Sequence, residues 1–291
     1  MRLALIFNKT RADTTGIYVE RACQALGIPA DHWWLRDASR LPLDYDLYLR
    51  IDHGDDYLTA LPDGCRPSAF YAIDTHLPHS WNKIRRIVSR FDVIFCSHRD
   101  GALRLRDAEW LPFAGEPTPP GMRDGGKVYD VAFVGTDGGV PRKFILQALR
   151  ERYPRHFIGT ADHRDLMAIY RRAGVGFNYS IANDVNMRIF EVLASETLLV
   201  TNALASDDLC RLGLEDRRHL VLYRRPSQVF DLIDHYLAHP DEREAIAASG
   251  AAVVRQRHTY VHRMRQLLMT VSRRLGVALP AHLQELTPCG S

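Results

Sequence analysis

What most constrains this chain is an alternation of short apolar runs with segments of helical period, repeated in two series. MRLALIFN, DLYLRID, SAFYAID and FDVIFCS read as buried strands. Between them TGIYVERACQALG reads as a helix ending at Gly27, and LPHSWNKIRRIVSR carries Trp81, Ile84, Ile87 and Val88 on one face with Lys83, Arg86 and Arg90 on the other. Strands that alternate with helices form a parallel sheet covered on both faces. PFAGEPTPPGMRDGGK, from Pro112 to Lys127, breaks the pattern with proline and glycine and marks a boundary. The alternation then restarts with DVAFVGT, helix KFILQALRERY, HFIGT, helix DLMAIYRRA, VGFNYS, helix MRIFEVLAS, TLLVTN and HLVLYR, before helices that run to the end. The predicted fold class is therefore α/β, with two Rossmann-like domains whose polar strand ends face a common cleft. Domain boundaries are expected at 1–116 and 117–259, with 260–291 as a helix and tail.

Composition narrows the class. At 291 residues the chain holds two domains comfortably, and 46% hydrophobic with 25% charged residues is ordinary for a globular protein. A formal charge of +3 dictates no nucleic-acid partner but leaves anionic ligands open. Cys23, Cys65, Cys96, Cys210 and Cys289 are spread without a C-x-x-C pair, which fits reduced thiols. LALIF is too short for a signal-peptide core, so a soluble, cytoplasmic protein without integral membrane contact is expected.

The densest polar chemistry lies in NYSIANDVNMRIFEVLASETLLVTN. Asp184, Arg188, Glu191 and Ser195 recur at helical spacing, opposite Ile189, Phe190 and Leu193. Asn183 or Asp184 could cap that helix, whose free N–H groups favour an anion; a capped helix with a solvated face is the plain alternative. A carboxylate at Glu191 could accept both hydroxyls of a ribose. Gly135 and Thr136 close one strand, and Arg142 with Lys143 opens the next helix, which could hold a diphosphate without a metal or be a solvated helix start. In RIDHGDD and YAIDTHLP, Asp52 with His53 and Asp74 with His76 follow strands; they suit acceptor binding or proton handling, or ordinary turns. His76 with His79 and His258 with His262 have ligand-like spacing but no third ligand, so no metal and no cofactor are expected. The basic stripe from Trp81 to Arg90 could meet a membrane or nucleic acid, although such a helix more often covers a sheet.

DVAFVGT, Arg142, LMAIYRRAGVGFNYS, NMRIFEVLAS, LLVTN, HLVLYR and HTYVHR together resemble GT-B glycosyltransferases, with the nearest look to the CgeB-like branch. The resemblance implies transfer of a sugar from a nucleoside diphosphate donor, with retention. The acceptor stays open among glycan, small molecule, protein and modified nucleic-acid base. It places Glu191 on the ribose, Gly159 and Thr160 beside the base, and Arg142 and Lys143 on the diphosphate, with Gly135, Thr136, Tyr179, Asn183, Asp184 and Arg188 on the donor side. Asn183 stands where the family has a glutamate that touches the sugar, and Glu196 where it has glycine. Retention would let the leaving diphosphate take the acceptor proton; inversion would need a base, for which His76 supported by Asp74 is the candidate. The C-terminal helix HTYVHRMRQLLMTVSRRLG is expected to cross back to the first domain. An epimerase or hydrolase, or a non-catalytic nucleotide-sugar binder, are the rival readings.

Overall fold

In a computed structural model, residues 1–11, 13–52, 61–116 and 126–284 are described. His53, the linker residues 117–125 and Cys289 lie outside the described residues. The chain divides into two compact units, Met1–Pro112 with Tyr260–Ser291, and Phe113–Thr259.

The first unit opens with β1 (Leu3–Ile6), α1 (Thr15–Ala25), β2 (Ala30–Trp33), β3 (Leu47–Asp52) and β4 (Ser68–Ala72). It continues with α2 (Pro78–Ile87), β5 (Val93–Cys96), α3 (Arg99–Arg104) and β6 (Glu109–Trp110). All strand pairs are parallel, in the order β2-β1-β3-β4-β5-β6. The apolar stripe of α2 buries Ile84 and Ile87 against Phe70, Ala72, Ile94 and Cys96, so this basic helix covers a sheet face.

The second unit contains β7 (Tyr129–Val134), α4 (Arg142–Arg152), β8 (His156–Gly159), α5 (His163–Arg171), β9 (Ala173–Phe177) and α6 (Met187–Ala194). After these come β10 (Leu198–Asn202), α7 (Asp208–Arg211), β11 (Val221–Tyr223), α8 (Gln228–Ala238) and α9 (Pro240–Arg257). Its parallel sheet has the order β11-β10-β9-β7-β8. Val131, Phe133, Val175, Phe177, Leu198 and Val200 meet Leu146, Leu149 and Ile233 in one core. Because every strand points the same way, the loops after β7, β8, β9 and β10 all emerge at one edge, where an open parallel sheet binds ligands.

The chain then returns to the first unit as α10 (Tyr260–Leu275), followed by α11 (Ala281–Gln284). Tyr260, Met264, Leu267, Leu268 and Val271 are buried, and Tyr260 stacks on Tyr18 of α1 with ring centroids 4.8 Å apart. Arg263 is buried too; its Nε donates to the Pro112 carbonyl at 2.8 Å, and burial pushes its pKa down to about 10. The exit from this unit and the return to it are thereby joined. In the second unit the Gly115 N–H donates to the His258 carbonyl at 2.9 Å, which places residues 113–116 with that unit.

At the C-terminus of α6, Glu196 has φ 54. Its N–H donates to Leu193 O at 3.0 Å and the Thr197 N–H to Val192 O at 3.4 Å, the two bonds of a Schellman turn whose left-handed residue is usually glycine.

Candidate functional site: a pair of arginines at the strand ends

The second unit gathers its polar groups where β7, β9 and β10 end. Phe133, near the end of β7, is fully buried and carries a guanidinium at each of two distances, Arg188 at 4.2 Å and Arg142 at 5.5 Å from the ring centroid. A cation over an aromatic face is attracted by the ring quadrupole. Arg142, the first residue of α4, donates from Nε to Asp137 O and from Nη2 to Thr136 O, both at 3.0 Å. Arg188, in the first turn of α6, donates from Nε to Val134 O and from Nη1 to Asn178 Oδ1, again at 3.0 Å each.

The backbone around them is shaped to let them close. Gly135 has φ 145 and Gly138 φ 61. A Cβ at Gly135 would collide with Nη2 of Arg188, and one at Gly138 with Nη2 of Arg142. Among the described residues neither arginine has a carboxylate in ion-pair contact, and Asp137 pairs with Arg150 at 3.0 Å. Burial, and after it the charge of Arg188, push the Arg142 pKa below the usual arginine range; Asp184 and Asp137 oppose the shift. Two half-buried cations that share a ring and lack a carboxylate partner form a costly arrangement unless an anion joins them.

Of the residues expected on the donor side, Gly135, Thr136, Asp184, Arg188 and Arg142 come together here. Glu191 is half-buried one turn beyond Arg188; the Tyr170 hydroxyl, pushed up to about 12 chiefly by burial, feels both charges, Arg188 lowering its pKa and Glu191 raising it. Gly159 ends β8, accepts from the Gly135 N–H at 2.8 Å, and has open space where a side chain would project, with Thr160 exposed beyond it.

Several residues are placed differently from the sequence expectation. Lys143 is exposed, because adjacent residues on a helix point about 100° apart; the guanidinium that shares Phe133 with Arg142 is that of Arg188. Neither Asn183 nor Asp184 caps α6, which starts later, with Asn186 at its N-cap making no side-chain capping bond. Asn183 is exposed at φ 57 and its Oδ1 accepts the Ala205 N–H at 2.7 Å, so it ties two loops together. Ser195 is buried, its hydroxyl donating to the Glu191 carbonyl at 2.7 Å, and is a helix-end residue rather than part of a binding face. Tyr179 is partly buried and packs against the core.

Asn178 is a residue that sequence reasoning does not single out. It is completely buried, donates from Nδ2 to Thr201 Oγ1 at 3.0 Å, and holds Arg188 through Oδ1. Ser180 and Asn202 continue the network, with the Ser180 N–H donating to Asn202 Oδ1 at 2.7 Å. The sequence signal was a polar N-Y-S at the end of a buried strand.

In the first unit, the Arg50 Nε donates to Asp52 Oδ2 at 2.5 Å, both side chains being buried in the sheet, so Asp52 neutralises a buried cation and is not a free ligand. Asp74 sits at φ 55 and its carbonyl accepts the Leu77 N–H at 3.0 Å, a turn role. It makes no hydrogen bond to His76 among the described residues. His76 faces His98 instead, Nδ1 to Nδ1 at 3.2 Å with ring centroids 3.9 Å apart, and Ser97 Oγ lies 2.8 Å from the same His98 nitrogen. One of the two Nδ1 atoms must carry the proton for the other to accept it. His98 follows FDVIFCS by one residue, in no recognisable motif.

Residues 128–269 match the glycosyl transferase-like family. Anabaena HepE, solved with UDP and glucose, superposes with a TM-score of 0.68 at 12% identity, covering 94% of this chain and all of that one. This chain has the GT-B glycosyltransferase fold. Sucrose-phosphate synthase from Thermosynechococcus elongatus has a TM-score of 0.61 at 11% identity, and phage T4 β-glucosyltransferase, solved with its UDP-glucose substrate, 0.58 at 11%. Each covers 96% of this chain and all of the other. No curated protein matches by sequence. No described helix is long and apolar enough to cross a membrane.

Proposed function

We propose that this GT-B protein transfers a sugar from a nucleoside diphosphate sugar to a nucleophilic acceptor, and that the donor's diphosphate binds Arg142 and Arg188. The observation that carries this reading is the pair of guanidiniums over Phe133 with no carboxylate partner among the described residues. HepE and T4 β-glucosyltransferase bind UDP or UDP-glucose, which makes UDP-sugars the first donors to test. Glu191, one helical turn from Arg188, takes the ribose hydroxyls, and the open space at Gly159 takes the base.

In a retaining transfer the bond from the sugar C1 to the diphosphate oxygen breaks, the acceptor oxygen bonds to C1 on the same face, and its proton passes to the departing diphosphate. Two fixed guanidiniums stabilise the charge as it grows on that leaving group, which is where electrostatic preorganisation acts. They also meet the charge that a divalent ion would otherwise carry, so EDTA leaves transfer intact. The His76–His98 pair supports a second reading, inversion, in which His76 takes the acceptor proton and His98 holds its ring.

A thermal-shift screen with UDP-, GDP-, ADP- and dTDP-sugars tests the donor assignment, since a ligand of the folded state raises its stability by RT ln(1 + [L]/Kd). A shift with one nucleotide class is expected. Absence of a shift with all four sinks it.

A further inference from the structure

We propose that Asn178 is a positioning residue that fixes Arg188 while leaving its charge for the ligand, so that the site is built for a dianionic diphosphate. This rests on the donor reading above. Every polar atom of Asn178 is committed: its N–H donates to Val200 O at 2.9 Å, its carbonyl accepts Tyr223 Oη–H at 3.1 Å, and its Nδ2 donates to Thr201 Oγ1 at 3.0 Å. Its Oδ1 accepts from Arg188 Nη1 at 3.0 Å and from Asn186 Nδ2 at 3.4 Å. Arginine has only donors, so the amide oxygen must be the atom that faces it, and the amide has one orientation. With Nε on Val134 O and the ring of Phe133 beneath, Arg188 is held from three directions.

The choice of residue matters. A carboxylate in place of the Asn178 amide would hold Arg188 more tightly, because charge-assisted hydrogen bonds are the stronger ones, but it would cancel the cation. A neutral acceptor gives orientation without neutralisation. With Arg142 likewise held by neutral carbonyls, those of Thr136 and Asp137, the site keeps two positive charges. A monoanion satisfies one of them; a diphosphate satisfies both.

Asn178→Asp separates holding from neutralising, since it changes one amide nitrogen to oxygen and the Thr201 hydroxyl can turn to donate. The expected result, by calorimetric titration, is a roughly 10- to 100-fold loss of UDP affinity, the range of one or two lost charge-assisted bonds, with uridine affinity and melting temperature unchanged or the latter raised. A folded Asn178→Asp protein that binds UDP as the wild type does overturns the proposal and leaves the donor reading standing. Wild-type protein that binds no nucleoside diphosphate overturns both. Should Asn178→Asp not fold, Thr201→Val removes the hydroxyl that anchors the amide; a several-fold loss of UDP with uridine unchanged supports the positioning role, and unchanged UDP affinity overturns it.

Discussion

Replacing Arg142 by alanine should cost little stability and much affinity, and the difference can be worked from its contacts. Its Nε and Nη2 donate to the carbonyls of Asp137 and Thr136, on a loop where Thr136 is exposed, while Nη1 has no acceptor among the described residues. Water can replace the arginine at such carbonyls. Its carbon and that of Arg188 lie 5.5 and 4.2 Å from one ring centroid, hence at most about 10 Å apart, and at an effective dielectric of 20 two unit charges at that separation repel by about 1.7 kcal/mol. Relief of that repulsion offsets the lost bonds, so the urea midpoint should move little. For the ligand, a lost bond to a charged group is worth about 1.5–3 kcal/mol, or roughly 10- to 150-fold in Kd. Calorimetric titration with UDP, UMP and uridine should show the full loss for UDP, less for UMP and none for uridine. Equal losses for UDP and uridine, or an unchanged Kd for UDP, would refute a phosphate role for Arg142.

Glu191→Ala should behave differently, weakening uridine and UDP alike by about 1.5–3 kcal/mol, because the proposed bonds are to ribose; titration with uridine alone checks it, and undiminished uridine binding removes Glu191 from the site. Glu196→Gly should leave stability unchanged or raise it by up to about 1 kcal/mol in urea, since left-handed backbone costs a non-glycine residue roughly 1–2 kcal/mol, partly offset by glycine's own entropy and the 3.7 Å contact with Arg255. A clear destabilisation would show that the Arg255 contact outweighs the backbone. Truncation before His258 should abolish soluble expression: it uncovers the surface of the first unit that Tyr260, Met264, Leu267, Leu268 and Val271 bury, each worth about 1.5–3 kcal/mol. A soluble truncated protein that binds UDP normally would contradict this.

The parallel sheets were legible because buried strands leave uninterrupted apolar runs, as in LALI and VIFC. β2, with sequence ADHW and only half-buried side chains, and β6, two residues long, offer no such run; they add to sheet edges and exist through pairing with β1 and β5. Helical spacing placed Arg188 and Glu191 on one face, and they lie one turn apart on α6. Lys143, next to Arg142 in sequence, points away from Phe133 because adjacent helix residues diverge by about 100°, and Ser195 is turned inward by the helix end. Asp74 was paired with His76 on proximity in the chain, but the left-handed backbone at Asp74 makes it a turn residue, and the histidine's partner comes from the end of a neighbouring strand. Asn178 could not be weighed from sequence, since its importance lies in bonds to residues 10 and 23 positions away.

A crystal structure of the protein with UDP decides most directly whether the two arginines form a donor site. The diphosphate should lie within hydrogen-bonding distance of both Arg142 and Arg188, beside Gly135, with the ribose hydroxyls on Glu191. A UDP molecule whose phosphates touch neither arginine, or that binds in the first unit, would contradict it.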